Sequence, residues 1–175
     1  MLLLVVTAVV VYVLDQVTKA MAVAGLEPGR PVEVLGPVLR LQLVYNPGAA
    51  FGIATSMTWV FTLIALVVVV AVIRYARRLG SRGWALALGL VLAGAAGNLT
   101  DRLLRQPGFA RGHVVDFLEL PRWPVFNVAD SAICTAAVLV AVLSLRGIDV
   151  DGARARDGER AERAGVREGA EEPRG

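Results

Sequence analysis

The chain has 175 residues, 56% of them hydrophobic and 19% charged, with a mean hydropathy of +0.62. A soluble domain is about 45–50% apolar even when glycine is counted, so a water-soluble globular fold is excluded. The charges are segregated. Residues 146–175 hold seven arginines and eight acids, which leaves eleven Lys/Arg against seven acids in residues 1–145. That basic surplus sits at the ends of apolar runs, which fits membrane flanks and argues against a nucleic-acid partner.

Four apolar runs approach the roughly 20 residues that cross a bilayer as a helix. They cover about 1–24, 57–74, 84–101 and 127–145. Helices are the default because backbone groups in lipid must be paired internally. Trp59, Trp84 and Trp123 fall at or near run ends, where indole rings favour the interface. The first run carries Ala22-Val23-Ala24, which resembles a signal-peptide cleavage site. It lacks a basic lead, is too long, and is interrupted by Asp15 and Lys19, so it is expected to be retained. Residues 74–82 hold four arginines in nine positions, and the positive-inside rule places that loop in the cytoplasm. Both termini are then cytoplasmic and the two longer connections extracytoplasmic.

In the first long connection, Val32-Glu33-Val34 and Val38-Leu39-Arg40-Leu41-Gln42-Leu43-Val44 alternate apolar and polar residues around Gly36-Pro37. That pattern predicts strand–turn–strand, a small sheet over about 30–55 lying on the outer membrane surface. Asn46-Pro47-Gly48 then turns the chain, and residues 49–53 are apolar enough to return to the interface. Cys134, within the last run, allows no internal disulfide and reads as a small buried hydrophobe. Residues 147–175 have almost no large apolar side chain and are predicted to form a charged, disordered cytoplasmic tail on a membrane domain of residues 1–146.

The polar residues of the body gather at one end of the runs. Asp15 and Lys19 are four apart, so they share a helical face and can pair. Asn46 adjoins the small-residue stretch Gly48-Ala49-Ala50-Phe51-Gly52. Ala93 and Gly97 form a small-xxx-small face for close helix packing. Asn98, Asp101 and Arg102 lie on roughly one side of the same run, where an Asp–Arg pair could be purely structural. Asn127 and Asp130 are three apart, as in a helix N-cap. Lone His113 gives poor support for a metal, and Ser131 has no evident base for a nucleophile scheme. Asp116 and Asp130 bracket an apolar, Pro-containing segment. If brought together, they cannot both ionise comfortably, so one would keep a proton. The ionised acid could then deprotonate water while the protonated one polarises a carbonyl. An ion carrier would also use intramembrane Asp, Asn and Arg, but it predicts polar residues near helix midpoints. A membrane scaffold would tolerate amide replacement of both acids.

Five pieces in order are similar to motifs of the lipoprotein signal peptidase (signal peptidase II) family. They are Asp15-Gln16-Val17-Thr18-Lys19, Asn46 to Gly52, residues 94–102, Gly112-His113-Val114-Val115-Asp116-Phe117, and Phe126-Asn127-Val128-Ala129-Asp130-Ser131. The resemblance implies an all-α membrane protein: four transmembrane helices, a small extracytoplasmic β-cradle, a short helical stretch on that side and both termini cytoplasmic. It implies an aspartyl endopeptidase of the bacterial cytoplasmic membrane that cuts prolipoproteins just before a diacylglyceryl-modified cysteine. Asp116 and Asp130 match the catalytic dyad. Asn46, Asn98, Arg102 and Asn127 match residues lining the site, and Asp15, Lys19 and Asp101 match supporting positions. No cofactor or metal is implied. The partners are the lipidated prolipoprotein and membrane lipid, with no nucleic acid, and the expected state is a monomer.

Overall fold

A computed structural model describes residues 1–48 and 58–152. Its four long helices are α1 (Leu2–Gly25), α2 (Thr58–Tyr75), α3 (Arg82–Leu104) and α4 (Val128–Leu145), each long and apolar enough to cross a membrane. α3 is central and packs against the other three. Glycines permit this closeness. A Cβ at Gly94 would lie 2.5 Å from the Ala129 carbonyl oxygen of α4, and one at Gly97 would lie 2.5 Å from Asp15 Oδ2 of α1. The small face predicted at Ala93 and Gly97 is real, and its contacts run through Gly94 and Gly97.

The buried positions of α1 are Leu4, Ala8, Asp15, Lys19 and Ala22, at spacings of 4, 7, 4 and 3. They form one stripe down the helix, so the two charges are buried with the apolar residues. Asp15 and Lys19 are both 0% exposed. Lys19 Nζ pairs with Asp15 Oδ2 at 2.9 Å, as the spacing predicts, and with Asp101 Oδ2 of α3 at 2.8 Å. It also donates to Asn98 Oδ1 at 2.9 Å. The second acid could not be read from spacing, because it lies on another helix. The Asp101–Arg102 pair, weighed as a structural alternative, does not form, since adjacent residues on a helix do not face each other. Asp101 instead takes Arg105 Nε, four residues on, at 2.5 Å.

The predicted hairpin is present as β1 (Val32–Leu35) and β2 (Leu39–Asn46), paired antiparallel. A third strand, β3 (Val114–Glu119), adds to β2 and gives the sheet order β1-β2-β3. This strand carries Asp116, which sits opposite Val44. Residues 114–117 are all buried, so the strand has no polar face and no alternation to betray it. Ala22, Leu43, Val115 and Phe117 form the core joining α1 to the sheet. Beyond β3 the chain folds back, with Phe117 N and Leu118 N donating to the Phe126 carbonyl at 3.0 and 2.8 Å. Asp116 is thereby carried to the start of α4.

Three further differences from the sequence expectations have physical causes. Cys134 is exposed, because it falls on the lipid-facing side of α4 between buried Ala132 and Ala136. The segment from Gly147 to Gly152, assigned to the tail by composition, is held by backbone bonds: Gly80 N and Ser81 N donate to Val150 O at 3.0 and 3.1 Å. Trp84 Nε1 donates to Ile148 O at 2.7 Å, so this indole anchors that segment rather than only marking an interface. Among the described residues, the helical structure beyond the four spans is a 3-10 turn, Ala76–Arg78, at the end away from the sheet. The expected return to the interface over 49–53 and the tail beyond 152 lie outside the described residues.

Removing Lys19 would leave two buried carboxylates facing each other without their shared cation. Lys19→Met is expected to cost about 3–5 kcal/mol. Thermal unfolding in detergent, followed by tryptophan fluorescence, should show a large fall in Tm. Arg30→Gln, which breaks an ion pair whose side chains are 80% and 70% exposed, should leave Tm nearly unchanged.

Candidate active site

α4 begins with a capping box. Asn127 Oδ1 accepts from Asp130 N at 2.9 Å, and Asp130 Oδ2 accepts from Asn127 N at 3.2 Å. Asp15 Oδ1 accepts from Ala129 N at 2.9 Å, satisfying another free donor of that helix end. The cap reading of Asn127 and Asp130 is therefore correct. It also fixes the Asn127 amide: with its oxygen committed to the cap, its Nδ2 points the other way and donates to Asp116 Oδ1 at 2.6 Å.

The same logic sets two more amides. Asn46 Oδ1 accepts from Gly48 N at 2.8 Å in the turn after β2, so its Nδ2 faces Asp116 Oδ2 at 2.9 Å. Asn98 Oδ1 must face Lys19, which can only donate, so its Nδ2 donates to Asp130 Oδ1 at 2.8 Å. Asn127 Nδ2 also lies 3.2 Å from Asn98 Oδ1. Asp116, on a strand, and Asp130, on a helix, are thus joined through Asn127 and braced by Asn46 and Asn98. Among the described residues no hydrogen bond joins the two carboxylates directly.

Asp116 is 2% exposed. Burial pushes its carboxyl up to about 7, against the lowering effect of the Asn46 bond, and the nearby Asp130 charge adds to the rise. Arg102 interacts electrostatically with Asp116, Asp130 and Asp101, forms no ion pair among the described residues, and lies over the Phe61 ring at 5.4 Å from its centroid. Its Nη1 is buried and has no hydrogen-bond partner among the described residues.

The structure brings all nine sequence-predicted site residues into one connected cluster at one end of the helices. Arg102 is the member joined by charge and by its ring contact rather than by hydrogen bonds. Among the described residues His113 makes no side-chain hydrogen bond, and its backbone N donates to Gln106 O. The Ser131 hydroxyl donates to Asn127 O, a helix-start bond rather than a nucleophile's. Three participants were missed. Arg105 was legible as the i+4 partner of Asp101. Gln16, which donates to Asp15 Oδ2 at 3.0 Å and to Gly97 O at 3.3 Å, and Phe61, under Arg102, gave no sequence signal. Among the described residues no group of three or more His, Cys, Asp or Glu could hold a metal ion.

The family described as Signal peptidase (SPase) II matches residues 7–146. A lipoprotein signal peptidase of Rhodococcus jostii (strain RHA1) is 57% identical over 153 residues, covering 87% of this chain and 77% of that protein. One from Mycolicibacterium smegmatis is 54% identical over 162 residues, covering 92% and 68%. A bacterial membrane enzyme solved by the in meso method at 1.9 Å resolution superposes with a TM-score of 0.73 at 30% identity, covering 82% of this chain and 92% of that one. This multi-pass membrane chain belongs to the signal peptidase II family.

Proposed function

We propose that the chain is an aspartyl endopeptidase that removes signal peptides from diacylglyceryl-modified prolipoproteins, cutting just before the lipidated cysteine. The observation that carries this reading is the pair Asp116 and Asp130, delivered by separate elements and both held by Asn127. Near neutral pH the pair carries one proton, and Asp116 supplies the protonated form below about pH 7. The ionised partner takes a proton from water. The resulting hydroxide attacks the scissile carbonyl carbon while the protonated acid donates to the carbonyl oxygen. The tetrahedral intermediate collapses as the C–N bond breaks and an acid proton passes to the leaving nitrogen. Arg102 Nη1 donates to a backbone carbonyl of the bound peptide.

The cluster lies at one end of the helices, which fits a substrate that arrives from the bilayer. An apolar cleft of about 240 Å³, lined by residues including Met21, Ala22, Leu26, Leu41 and Phe117, opens beside the neighbour of Asp116 and suits the lipid portion. The arginines of residues 74–82 support a cytoplasmic position for the opposite end. The site then faces outward from the bacterial cytoplasmic membrane, with both termini inside. Residues 1–146, with 147–152 docked on them, constitute the working unit, acting as a monomer.

Asp116→Asn and Asp130→Asn should each lower cleavage of a lipidated prolipoprotein by at least about 100-fold. Either variant cutting at near wild-type rate would remove its aspartate from the dyad. Arg102→Gln should reduce kcat/KM by about 10- to 100-fold without abolishing turnover. An unchanged value would show that the unpaired donor does not meet substrate.

The pH dependence has a definite sign. The Asp116 carboxyl ionises near its ordinary value of 3.8 when unfolded but near 7 when folded, so between these values the folded state binds more protons. Stability should fall as pH rises from about 4 to about 7 and then level off, and Asp116→Asn should flatten that slope in pH-resolved thermal unfolding. Cleavage by the wild type should decline as pH rises beyond about 7, when the shared proton is lost.

A further inference from the structure

The end of the molecule opposite the aspartates holds a second concentration of charge that peptide cleavage does not use. A cavity of about 430 Å³ is lined by Ile73, Arg74, Tyr75, Arg77 and Arg78. Arg74, at the end of α2, and Arg77 and Arg78, on the 3-10 turn that follows, all line it. All three are exposed, and the ion pairs among the described residues include none of them. The turn that carries them is anchored. Ala76 is 5% exposed and packs with Leu4 and Ala85, and the following Gly80 and Ser81 are bonded to Val150. A concave site with three cations that form no ion pair among the described residues is built for an anion.

Its surroundings say which anion. The cavity's apolar wall, Ile73, is 54% exposed and continues the lipid-facing surface of α2, where Val67 and Val70 are 58% and 47% exposed. Tyr75, 59% exposed, is an amphipathic ring at the same level. A soluble phosphate would use only the arginines. A phospholipid uses both features, with its phosphate among the guanidiniums and its acyl chains along α2. The geometry points to a binding site for an anionic phospholipid headgroup at the Arg74–Arg78 end of the bundle. The site rests on the membrane-spanning fold and not on the peptidase reading.

The test uses the full chain, delipidated in neutral detergent and then offered phosphatidylglycerol, phosphatidylcholine or glycerol phosphate. Retained lipid is read by native mass spectrometry, and Tm is measured in parallel. Phosphatidylglycerol should bind and raise Tm, less so at high salt, while phosphatidylcholine and glycerol phosphate should not. The variant R74Q/R77Q/R78Q should bind phosphatidylglycerol more weakly by roughly fivefold per arginine, on the order of 100-fold in all. The corresponding triple lysine variant should keep most of the affinity. If the triple glutamine variant unfolds, Arg74→Gln and Arg77→Gln singly should each show about the fivefold loss. Equal binding of phosphatidylcholine, full affinity in the glutamine variants, or glycerol phosphate reproducing the phosphatidylglycerol effect would each overturn the proposal.

Discussion

The Lys19 ammonium is the interaction on which the rest of the site depends. A buried cation is costly to desolvate, and this one is tolerable only because Asp15, Asp101 and Asn98 all turn oxygens toward it. Each of those commitments has a consequence elsewhere. Asp15 uses its second oxygen on the first turn of α4, which sets that helix against α1. Asp101 receives Val115 N at 3.2 Å, which ties β3 to α3 one residue before Asp116. Asn98, with its oxygen claimed, can offer only its NH2 group to Asp130. One ammonium therefore orients two helices, a strand and an amide. Gly97 is part of the same constraint, because a side chain there would displace Asp15 from it.

The capping and catalytic readings of Asp130 compete when the sequence is considered alone; the cap is present, and it is compatible with the proposed catalytic role. The box needs Asp130 at the third helical position and Asn127 at the cap. Satisfying the cap leaves the Asn127 NH2 group aimed at Asp116 and leaves one Asp130 oxygen for Asn98. A helix start is a local, strongly determined structure, so it is a rigid mount for a carboxylate that must be placed against another from a distant strand. The cost of the arrangement falls on Asp116. Desolvation and the neighbouring Asp130 charge raise its pKa more than the Asn46 and Asn127 hydrogen bonds and the Lys19 charge lower it.

Most of the architecture was legible because lipid imposes length and apolarity on any span. The four helices and the β1–β2 hairpin follow from such local patterns, as do the Asp15–Lys19 pair and the cap. What could not be read is non-local or made by the backbone. The sequence Val114-Val115-Asp116-Phe117 does not alternate, since both faces of β3 are covered, and its partner β2 lies some seventy residues earlier. The Asp101–Lys19 pair joins residues on separate helices. The docking of 147–152 depends on main-chain groups and one indole, so a composition poor in large apolar residues conceals it. The exposed Cys134 shows a different failure, because in a membrane helix an apolar position faces lipid as readily as it faces the core.

The length of α3 decides between a surface site and a transport path. At 1.5 Å per residue, Asn98 and Asp101 lie about 24 and 28 Å along the axis from Arg82, close to the thickness of the hydrocarbon core. Between the two ends, from Trp84 to Gly97, the helix carries no charged or amide side chain. A carrier needs polar groups near the midplane and an interrupted helix to present them. α3 is continuous, and its small residues are occupied in packing against α1 and α4. On α3 charge is confined to the boundaries, with Arg82 at one and Asp101 and Arg102 at the other. A peptide bond just beyond a membrane-spanning signal segment would be found at that second boundary, where water can reach it and a desolvated aspartate can still hold its proton.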